Sequence, residues 1–312
     1  MKTVIITGAN SGIGKEATKM FAKEGYKVIM ACRNMDKGKK AKQEIIEKTM
    51  NNEVYLKEVD LASFDSIRSF CNDFRKEFKK LDILIHNAAY FNHGEKYRLS
   101  PDNIELTFAT NVFGPFLMTN LLIKQLKAAE DPRILHAVSN IIKHFFSPKK
   151  EINFDNIQGW KNNDKSHSVY KSYRDSKMAL TMLTFKLAQE FEEEAIKINA
   201  LQINGAKMSK ETIKKFKPLW RPIARIQNLY FPEPEIMAKN YFEICTSDKF
   251  KNVSGKLFNH RKEIMEPGEK EPGIVTSINQ LFCANLYPRY ANREDVSEKI
   301  WNLSRDLTGI QI

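Results

Sequence analysis

Several features that would restrict the function are scarce or missing in this chain of 312 residues. It has four cysteines and no C-x-x-C pair, so we expect reduced thiols in a cytosolic-type compartment rather than a disulfide scaffold. The six histidines lack metal-ligand spacing, so no metal site is expected. No apolar run reaches the ~20 residues of a membrane span, and a strand beginning at Thr3 leaves no room for a signal peptide. Without repeats, low-complexity tracts or linkers, the chain is predicted to form a single domain over residues 1–312.

Acidic residues are outnumbered, since 50 Lys and Arg against 38 Asp and Glu give a net charge of +12. The basic residues cluster at 37–42, 143–150 and 207–217. One interpretation is a solvated surface with a preference for an anionic cofactor. The other is weak contact with an anionic membrane surface. Because no finger, recognition-helix or stacking-sheet signature accompanies the charge, a nucleic-acid partner is not expected.

Short apolar runs alternate with longer amphipathic stretches along the chain. Strands are predicted at residues 4–6, 28–31, 54–56, 81–86, 134–138 and 196–201. Helices are predicted at about 15–24, 37–48, 117–126 and 176–194, with another through Ile67, Phe70 and Phe74. This order predicts an α/β fold of the Rossmann type, with a doubly wound parallel sheet and helices on both faces.

The segment from about 207 to 235 departs from this alternation. It follows the last predicted strand, and ligands of open α/β sheets bind at the carboxyl ends of the strands. We therefore interpret it as a substrate lid, with an ordinary pair of surface helices as the alternative. Candidates for an apolar substrate wall, which could equally be core residues, are Phe145, Phe146, Phe216, Leu219, Trp220 and Phe231.

Three glycines, Gly8, Gly12 and Gly14, stand between an apolar strand and a helical pattern. In that context glycines allow a tight turn and let a pyrophosphate approach the free N–H groups of a helix start. A carboxylate that would bond the ribose 2′-hydroxyl of NAD is missing after the second strand, where Cys32-Arg33-Asn34 stands instead. Because Arg33 could grip a 2′-phosphate, we predict NADP(H) rather than NAD(H); the alternative is that Arg33 is one more surface cation.

A tyrosine and a lysine four residues apart, Tyr173 and Lys177, share one helix face. A phenol has a pKa of about 10, and a neighbouring ammonium favours the phenolate and lowers that pKa. Ser139, at the end of a predicted strand, could hold a substrate oxygen beside the phenol. Such pairs arise by chance, and it is the position relative to the glycine turn and Ser139 that makes this one informative.

Over essentially its whole length the chain resembles the short-chain dehydrogenase/reductase family. The matching motifs are Thr7 to Gly14, Asp60-Leu61, Asn87-Ala88-Ala89, Asn111 to Gly114, Ser139 and Tyr173 to Lys177. Within the family it resembles the retinol dehydrogenase-like and WW-domain-oxidoreductase-like branch. The segments similar to that branch are Ala31 to Asn34, Glu151 to Asp155, Ser254 to Phe258 and Ile300 to Ser304.

The resemblance implies a catalytic set of Asn111, Ser139, Tyr173 and Lys177. Tyr173 would donate the proton, Lys177 would lower its pKa and bond the nicotinamide ribose, Ser139 would steady the carbonyl, and Asn111 would hold a proton-relaying water. The cofactor contacts that it implies, beyond Tyr173, Lys177 and the Arg33 already discussed, are Gly8, Asn10, Ser11, Gly12, Ile13, Gly14, Asp60 (for the adenine), Leu61, Asn87, Ala88, Gly205 and Ser209. The family's usual motifs are altered at His86-Asn87-Ala88-Ala89, Val138-Ser139 and Asn204-Gly205, with Ser209 in place of a Thr.

These observations predict an NADP(H)-dependent oxidoreductase that interconverts a carbonyl and an alcohol on an apolar small molecule such as a retinoid, an isoprenoid or a steroid. The alternatives are a catalytically silent NADP(H)-binding regulatory protein and a membrane-surface interaction protein. The branch often carries an amino-terminal anchor that we do not find, so a cytoplasmic protein, at most peripheral to a membrane, is expected. The family resemblance also implies a homo-oligomer.

Overall fold

A seven-stranded sheet organises the chain, whose computed structural model describes residues 1–91, 95–158, 168–214, 216, 218–270 and 272–311. Its order is β3-β2-β1-β4-β5-β6-β7, and every neighbouring pair is parallel. The strands are β1 Thr3–Thr7, β2 Lys27–Cys32, β3 Val54–Glu58, β4 Ile83–His86, β5 Arg133–Ser139, β6 Lys197–Ile203 and β7 Leu257–Phe258. A small parallel sheet pairs β8 Glu266–Pro267 with β9 Leu286–Tyr287.

Helices cover both faces of the large sheet. They are α1 Gly12–Lys23, α2 Met35–Thr49, α3 Phe64–Glu77, α4 Leu106–Phe108, α5 Gly114–Leu121, α6 Ile123–Lys127, α7 Val169–Glu190, α8 Lys210–Lys214, α9 Arg221–Tyr230, α10 Pro234–Thr246, α11 Ile274–Phe282 and α12 Glu294–Thr308. One core cluster joins the sheet to α3, α5, α7 and α12, and the other joins it to α1, α2 and α10. The doubly wound parallel fold predicted from the sequence is thereby confirmed.

The strands form where short apolar runs are buried on both sides, as the fully buried Thr3–Thr7 shows. Side-chain caps fix the starts of several helices: Asn34 accepts from Lys37 N at 2.8 Å for α2, and Ser63 accepts from Ser66 N at 3.3 Å for α3. These caps place the loops after β2 and β3 at the carboxyl edge of the sheet, where Arg33 and Asp60 stand.

The structure differs from the sequence prediction in several elements. The predicted helix at 176–194 begins already at Val169, where Ser168 caps it, and ends at Glu190. A π-helical turn, Ala109–Phe113, and α5 precede and merge with the helix predicted at 117–126. The strands β7, β8 and β9 were missed because two-residue strands leave no periodic pattern. Among the residues that the structure describes, no helix combines the length and apolar character needed to span a bilayer.

Candidate active site

Two adjoining cavities lie at the carboxyl edge of the sheet, around the point between β1 and β4 where the strand order reverses. Open α/β sheets bind ligands at this crevice. The first cavity has a volume of about 440 Å³ and lies along the loops after β1, β2 and β3. The second, of about 800 Å³, lies along the ends of β5 and β6 and under α9. Asn87 and Ala89, which follow β4, line both cavities and so mark where they meet.

The glycine turn forms one wall of the first cavity. Gly8 has a φ of +65°, a left-handed conformation that a glycine adopts without strain. Gly14 is required for a different reason, because a Cβ there would lie 2.5 Å from both Gly8 O and Asn87 Nδ2. Helix α1 starts here, and within the described residues the Ser11 side chain makes no capping hydrogen bond to it. The Ser11 side chain therefore leaves the first N–H groups of α1 available, and such groups suit a pyrophosphate.

The far end of the first cavity carries two cations and one carboxylate. Arg33, predicted from the sequence, lines it with a side chain that is 64% exposed, and Lys37 lines it from the start of α2. Arg33 Nη1 lies 3.9 Å from Asp60 Oδ2, a weak exposed pair that still holds the guanidinium near the cavity. Leu61, Val59 and Ala31 add apolar surface. Two cations, a carboxylate that can accept hydrogen bonds and apolar side chains together fit the ribose and adenine end of a dinucleotide.

Asn87 is held in place from two elements, β1 and α10. Its Nδ2 donates to Thr7 O at 2.9 Å, and its backbone N–H donates to Thr7 Oγ1 at 3.0 Å. Its Oδ1 accepts from the hydroxyl of Tyr241 at 3.1 Å. Tyr241 is fully buried on α10, 154 residues away in the chain, and sequence analysis did not single it out. A contact over this separation leaves no local pattern in the sequence.

Ser139, Tyr173 and Lys177 converge on one wall of the second cavity. Lys177 is buried, with Nζ donating to Ala137 O at 2.6 Å and lying 5.7 Å from the centre of the Tyr173 ring. Burial lowers the pKa of the Lys177 ammonium from 10.5 to about 7. The ring of Phe91 covers Tyr173 with 4.6 Å between the ring centres.

The pKa of Tyr173 differs from the sequence expectation. We expected Lys177 to lower it, but burial raises the pKa of the phenol to about 12, and a hydrogen bond with Ser139 opposes this rise. The reason is that Lys177 is itself desolvated and directs its ammonium to a backbone carbonyl. In this arrangement the phenol holds its proton at neutral pH.

Asn111 lies in the π-helical turn and is almost completely buried. Its amide accepts from Tyr90 N at 2.7 Å, and donates to Tyr90 O and to Ser176 Oγ, each at 3.1 Å. Asn111 thus joins the loop after β4 to α7 one residue before Lys177. π-Helical turns are frequent at functional sites, which agrees with this position. The water that Asn111 would hold for Lys177 stays a prediction.

Most of the other sequence-predicted cofactor residues line one of the two cavities, whereas Gly12 and Gly14 line neither. Those lining the first cavity are Gly8, Asn10, Ser11, Arg33, Asp60, Leu61, Asn87, Ala88 and Ser209. Ile13 and Gly205 line the second. Ser209 accepts from Thr212 N at 3.2 Å and so caps α8, beside the first cavity rather than beside Tyr173. Five further lining residues were not predicted as site residues: Thr7, Lys37, Tyr90, Thr110 and Thr212. Two of them had a signal, since Thr7 opens the motif Thr7 to Gly14 and Lys37 stands four residues after Arg33.

The apolar wall of the second cavity agrees only partly with the sequence prediction. Phe216, Trp220 and Phe231 line it, whereas Phe145 and Phe146 do not; they are buried, and Phe145 belongs to the core cluster that packs against α7. The side chain of Leu219 lies outside the described residues, as do residues 215 and 217 of the predicted lid. Additional wall residues are Phe91, Ile141, Ile203, Met208, Ile223 and Ala224. Within the described residues, the segment predicted as a lid contains α8 and α9, and α9 borders the cavity.

Comparisons with known proteins identify relatives of this chain. A family model described as short chain dehydrogenase matches residues 2–146. Mouse retinol dehydrogenase 13 is 30% identical over 99% of this chain and 84% of its own length, and mouse retinol dehydrogenase 12 is 31% identical over 99% and 87%.

Solved structures show the same fold. A crystal structure of an uncharacterized protein from Mycobacterium paratuberculosis has a TM-score of 0.68 at 23% identity, covering 100% of this chain and 94% of that one. A short chain dehydrogenase from Shigella flexneri 2a str. 301, complexed with NADP, has a TM-score of 0.64 at 18% identity, covering 83% of this chain and 97% of that one.

Proposed function

The chain belongs to the short-chain dehydrogenase/reductase family, in its retinol dehydrogenase-like branch, and on this basis we propose that it is an NADP(H)-dependent oxidoreductase acting on an apolar alcohol or carbonyl compound. The observation that carries the proposal is the convergence of Ser139, Tyr173 and Lys177 on one wall of an apolar cavity. This apolar cavity is the second cavity described above, and at Asn87 it meets the first cavity, which is shaped for a dinucleotide.

The first cavity would hold the nucleotide. The uncapped start of α1 and the glycine turn would bind the pyrophosphate, and Asp60 and Leu61 would contact the adenine. Arg33 and Lys37 favour the 2′-phosphate of NADP(H) because they place two cations beside a single carboxylate. A bound nicotinamide supplies or accepts the hydride.

The residues of the second cavity would transfer the proton and orient the substrate. Tyr173, whose pKa is raised to about 12, is protonated at neutral pH and can donate to the carbonyl oxygen during reduction. Ser139, hydrogen-bonded to that phenol, would hold the same oxygen in place. Lys177 would bond the nicotinamide ribose, and a charge on its ammonium would stabilise the phenolate that remains after proton transfer.

The substrate class follows from the walls of the second cavity. Aromatic and aliphatic side chains from α9, from the 3₁₀ helix Asn140–Phe146 and from the loop after β4 line the same cavity as Tyr173. A volume of about 800 Å³ accommodates a molecule of the size of a retinoid, an isoprenoid or a steroid. The names of the relatives, retinol dehydrogenases 12 and 13, support the first of these.

The decisive experiment measures NADPH consumption with retinal, farnesal, a keto-steroid and an aromatic aldehyde, for the wild type and for Tyr173→Phe. Loss of the general acid should lower kcat by about 10²- to 10⁴-fold. The matched control is Tyr287→Phe, at a buried tyrosine on β9, and this variant should keep activity. Equal activity of Tyr173→Phe would refute the assigned chemistry. NADPH binding without turnover on any carbonyl would favour the catalytically silent regulatory protein.

The cofactor preference needs its own test. Arg33→Ala should weaken NADPH binding by about tenfold, the loss of one charge-assisted hydrogen bond, and leave NADH binding unchanged. Arg75→Ala, near the carboxyl end of α3 and so at the opposite edge of the sheet, is the control. An equal loss for both cofactors would contradict the 2′-phosphate assignment. Homo-oligomerisation and a cytoplasmic location stay predictions.

A further inference from the structure

Helix α9 presents an exposed apolar face to the outside of the molecule. Ile226, Leu229 and Tyr230 are 60%, 76% and 84% exposed, and their spacing of three and four residues places them on one side. Arg225 is exposed beside them. A helix with Ala224 as its buried residue and this outer surface resembles an interfacial helix more than a packed one.

The surroundings of this face are strongly basic. Residues 207–230 contain seven Lys and Arg and one acidic residue, which gives half of the net charge of +12 in less than a tenth of the chain. Glu233 pairs with one of these cations, Lys207. The exposed apolar side chains of α9 therefore belong to a segment of the sequence with an excess of positive charge.

The adjacent side of the same helix borders the proposed substrate cavity, through Ile223, Ala224 and Gln227. A second exposed apolar helix, α11, packs against the 3₁₀ helix Asn140–Phe146, part of which lines that cavity. It contains no charged residue, and Val275 and Phe282 are exposed. Lys143 holds α11 to the 3₁₀ helix that lines the cavity, because its Nζ donates to Leu281 O at 3.1 Å and to Cys283 O at 2.7 Å.

We propose that the outer face of α9 docks on the surface of an anionic lipid bilayer. Ile226, Leu229 and Tyr230 enter the boundary between headgroups and acyl chains, and Arg225 and the neighbouring cations contact the lipid phosphates. A second copy of the chain fits this face less well, since a symmetric contact would bring two surfaces of the same positive charge together. Docking also places the cavity beside the lipid, so that an apolar substrate enters from the bilayer. The entry of a substrate rests on the proposed function, whereas the docking itself does not.

The test is co-sedimentation of the full chain with vesicles of phosphatidylcholine alone or with phosphatidylserine added, at low and high salt. The wild type should bind the anionic vesicles and dissociate as salt rises. Leu229→Glu should weaken this binding by about tenfold or more, because an apolar contact is lost. Arg225→Gln should weaken it by about fivefold on anionic vesicles only.

The matched control is Met50→Glu, which makes the same kind of change at a residue that is 84% exposed. Met50 follows the carboxyl end of α2, at the edge of the sheet opposite the cavities, so its variant should bind vesicles like the wild type. A wild type that fails to bind anionic vesicles at low salt, or equal losses in Met50→Glu and Leu229→Glu, would overturn the proposal. So would a change in oligomeric mass, rather than in vesicle binding, on Leu229→Glu. Because no substrate is present, this result is independent of the NADPH assay.

Discussion

The burial of Lys177 should be measurable as a pH-dependent loss of stability that a neutral side chain removes. Its ammonium lies inside the protein, where desolvation lowers the pKa from 10.5 to about 7. At pH 7 or below, a shift of this size corresponds to an unfavourable contribution of about 4–5 kcal/mol to folding. Lys177→Met replaces the buried ammonium by an uncharged side chain of similar length. It should therefore raise the free energy of unfolding at pH 7, by an amount that the loss of the hydrogen bond to Ala137 O reduces.

The sign of the pH dependence follows from the protons that each state binds. Between pH 7 and 10.5 the unfolded chain holds a proton on Lys177 that the folded chain has released, so this group makes stability rise with pH. The advantage of Lys177→Met should therefore shrink by about 2 kcal/mol between pH 7 and pH 9. Any contribution of the methionine to stability that does not depend on pH cancels when the stability differences at pH 7 and pH 9 are compared.

The assay is urea unfolding of both proteins without cofactor at pH 7, 8 and 9. The control is Lys186→Met on the same helix, since Lys186 pairs with Glu190 and Glu298 and its pKa is raised rather than lowered. Lys186→Met should show no change in its stability difference over this interval. A constant difference between wild type and Lys177→Met from pH 7 to pH 9 would refute the lowered pKa of Lys177.

Three further predictions concern single contacts. Gly14→Ala should lower the free energy of unfolding by about 1–3 kcal/mol and abolish dinucleotide binding in a fluorescence titration, because its Cβ would lie 2.5 Å from Gly8 O and Asn87 Nδ2; tight binding by this variant would contradict the packing. Tyr241→Phe should raise the NADPH dissociation constant severalfold and lower the free energy of unfolding by about 1 kcal/mol, because the side-chain Oδ1 of Asn87 loses its donor. Unchanged affinity would show that cofactor binding does not need this hydrogen bond. Since burial lowers the pKa of His136 from 6.5 to about 3, stability should fall as pH drops from 6.5 towards 3, and His136→Leu should reduce that slope in acid unfolding curves.

Much of the fold could be predicted because its signals are local. Buried parallel strands are continuous apolar runs, and the helices between them repeat their apolar residues every three or four positions. The predicted strands at 28–31 and 134–138 therefore lie within β2 and β5. The two-residue β7 and the π-helical turn at Ala109–Phe113 were not predicted, because neither is long enough to produce a periodic pattern of apolar residues.

The candidate site shows the same division at the level of side chains. Gly8, Arg33, Asn87 and Ser139 stand within two residues of strand ends, so the sequence alone brings them to one edge of the sheet. Which of them share a cavity, and which way an aromatic side chain points, depends on packing. Phe145 is an example: it points into the core, although its sequence position beside the site allowed either orientation.

The sequence by itself determined the order of strands and helices, the glycine turn, and the helix face that Tyr173 and Lys177 share, because each depends on neighbours a few residues apart. Tertiary structure decided the rest. The contact of Tyr241 with Asn87 joins residues 154 positions apart, and the shifted pKa values of Tyr173 and Lys177 arise from desolvation by the assembled core. The exposure of Ile226 and Leu229 also exists only after α9 has packed its adjacent side against the cavity. Burial and long-range contacts are properties of the packed chain, and no local pattern encodes them.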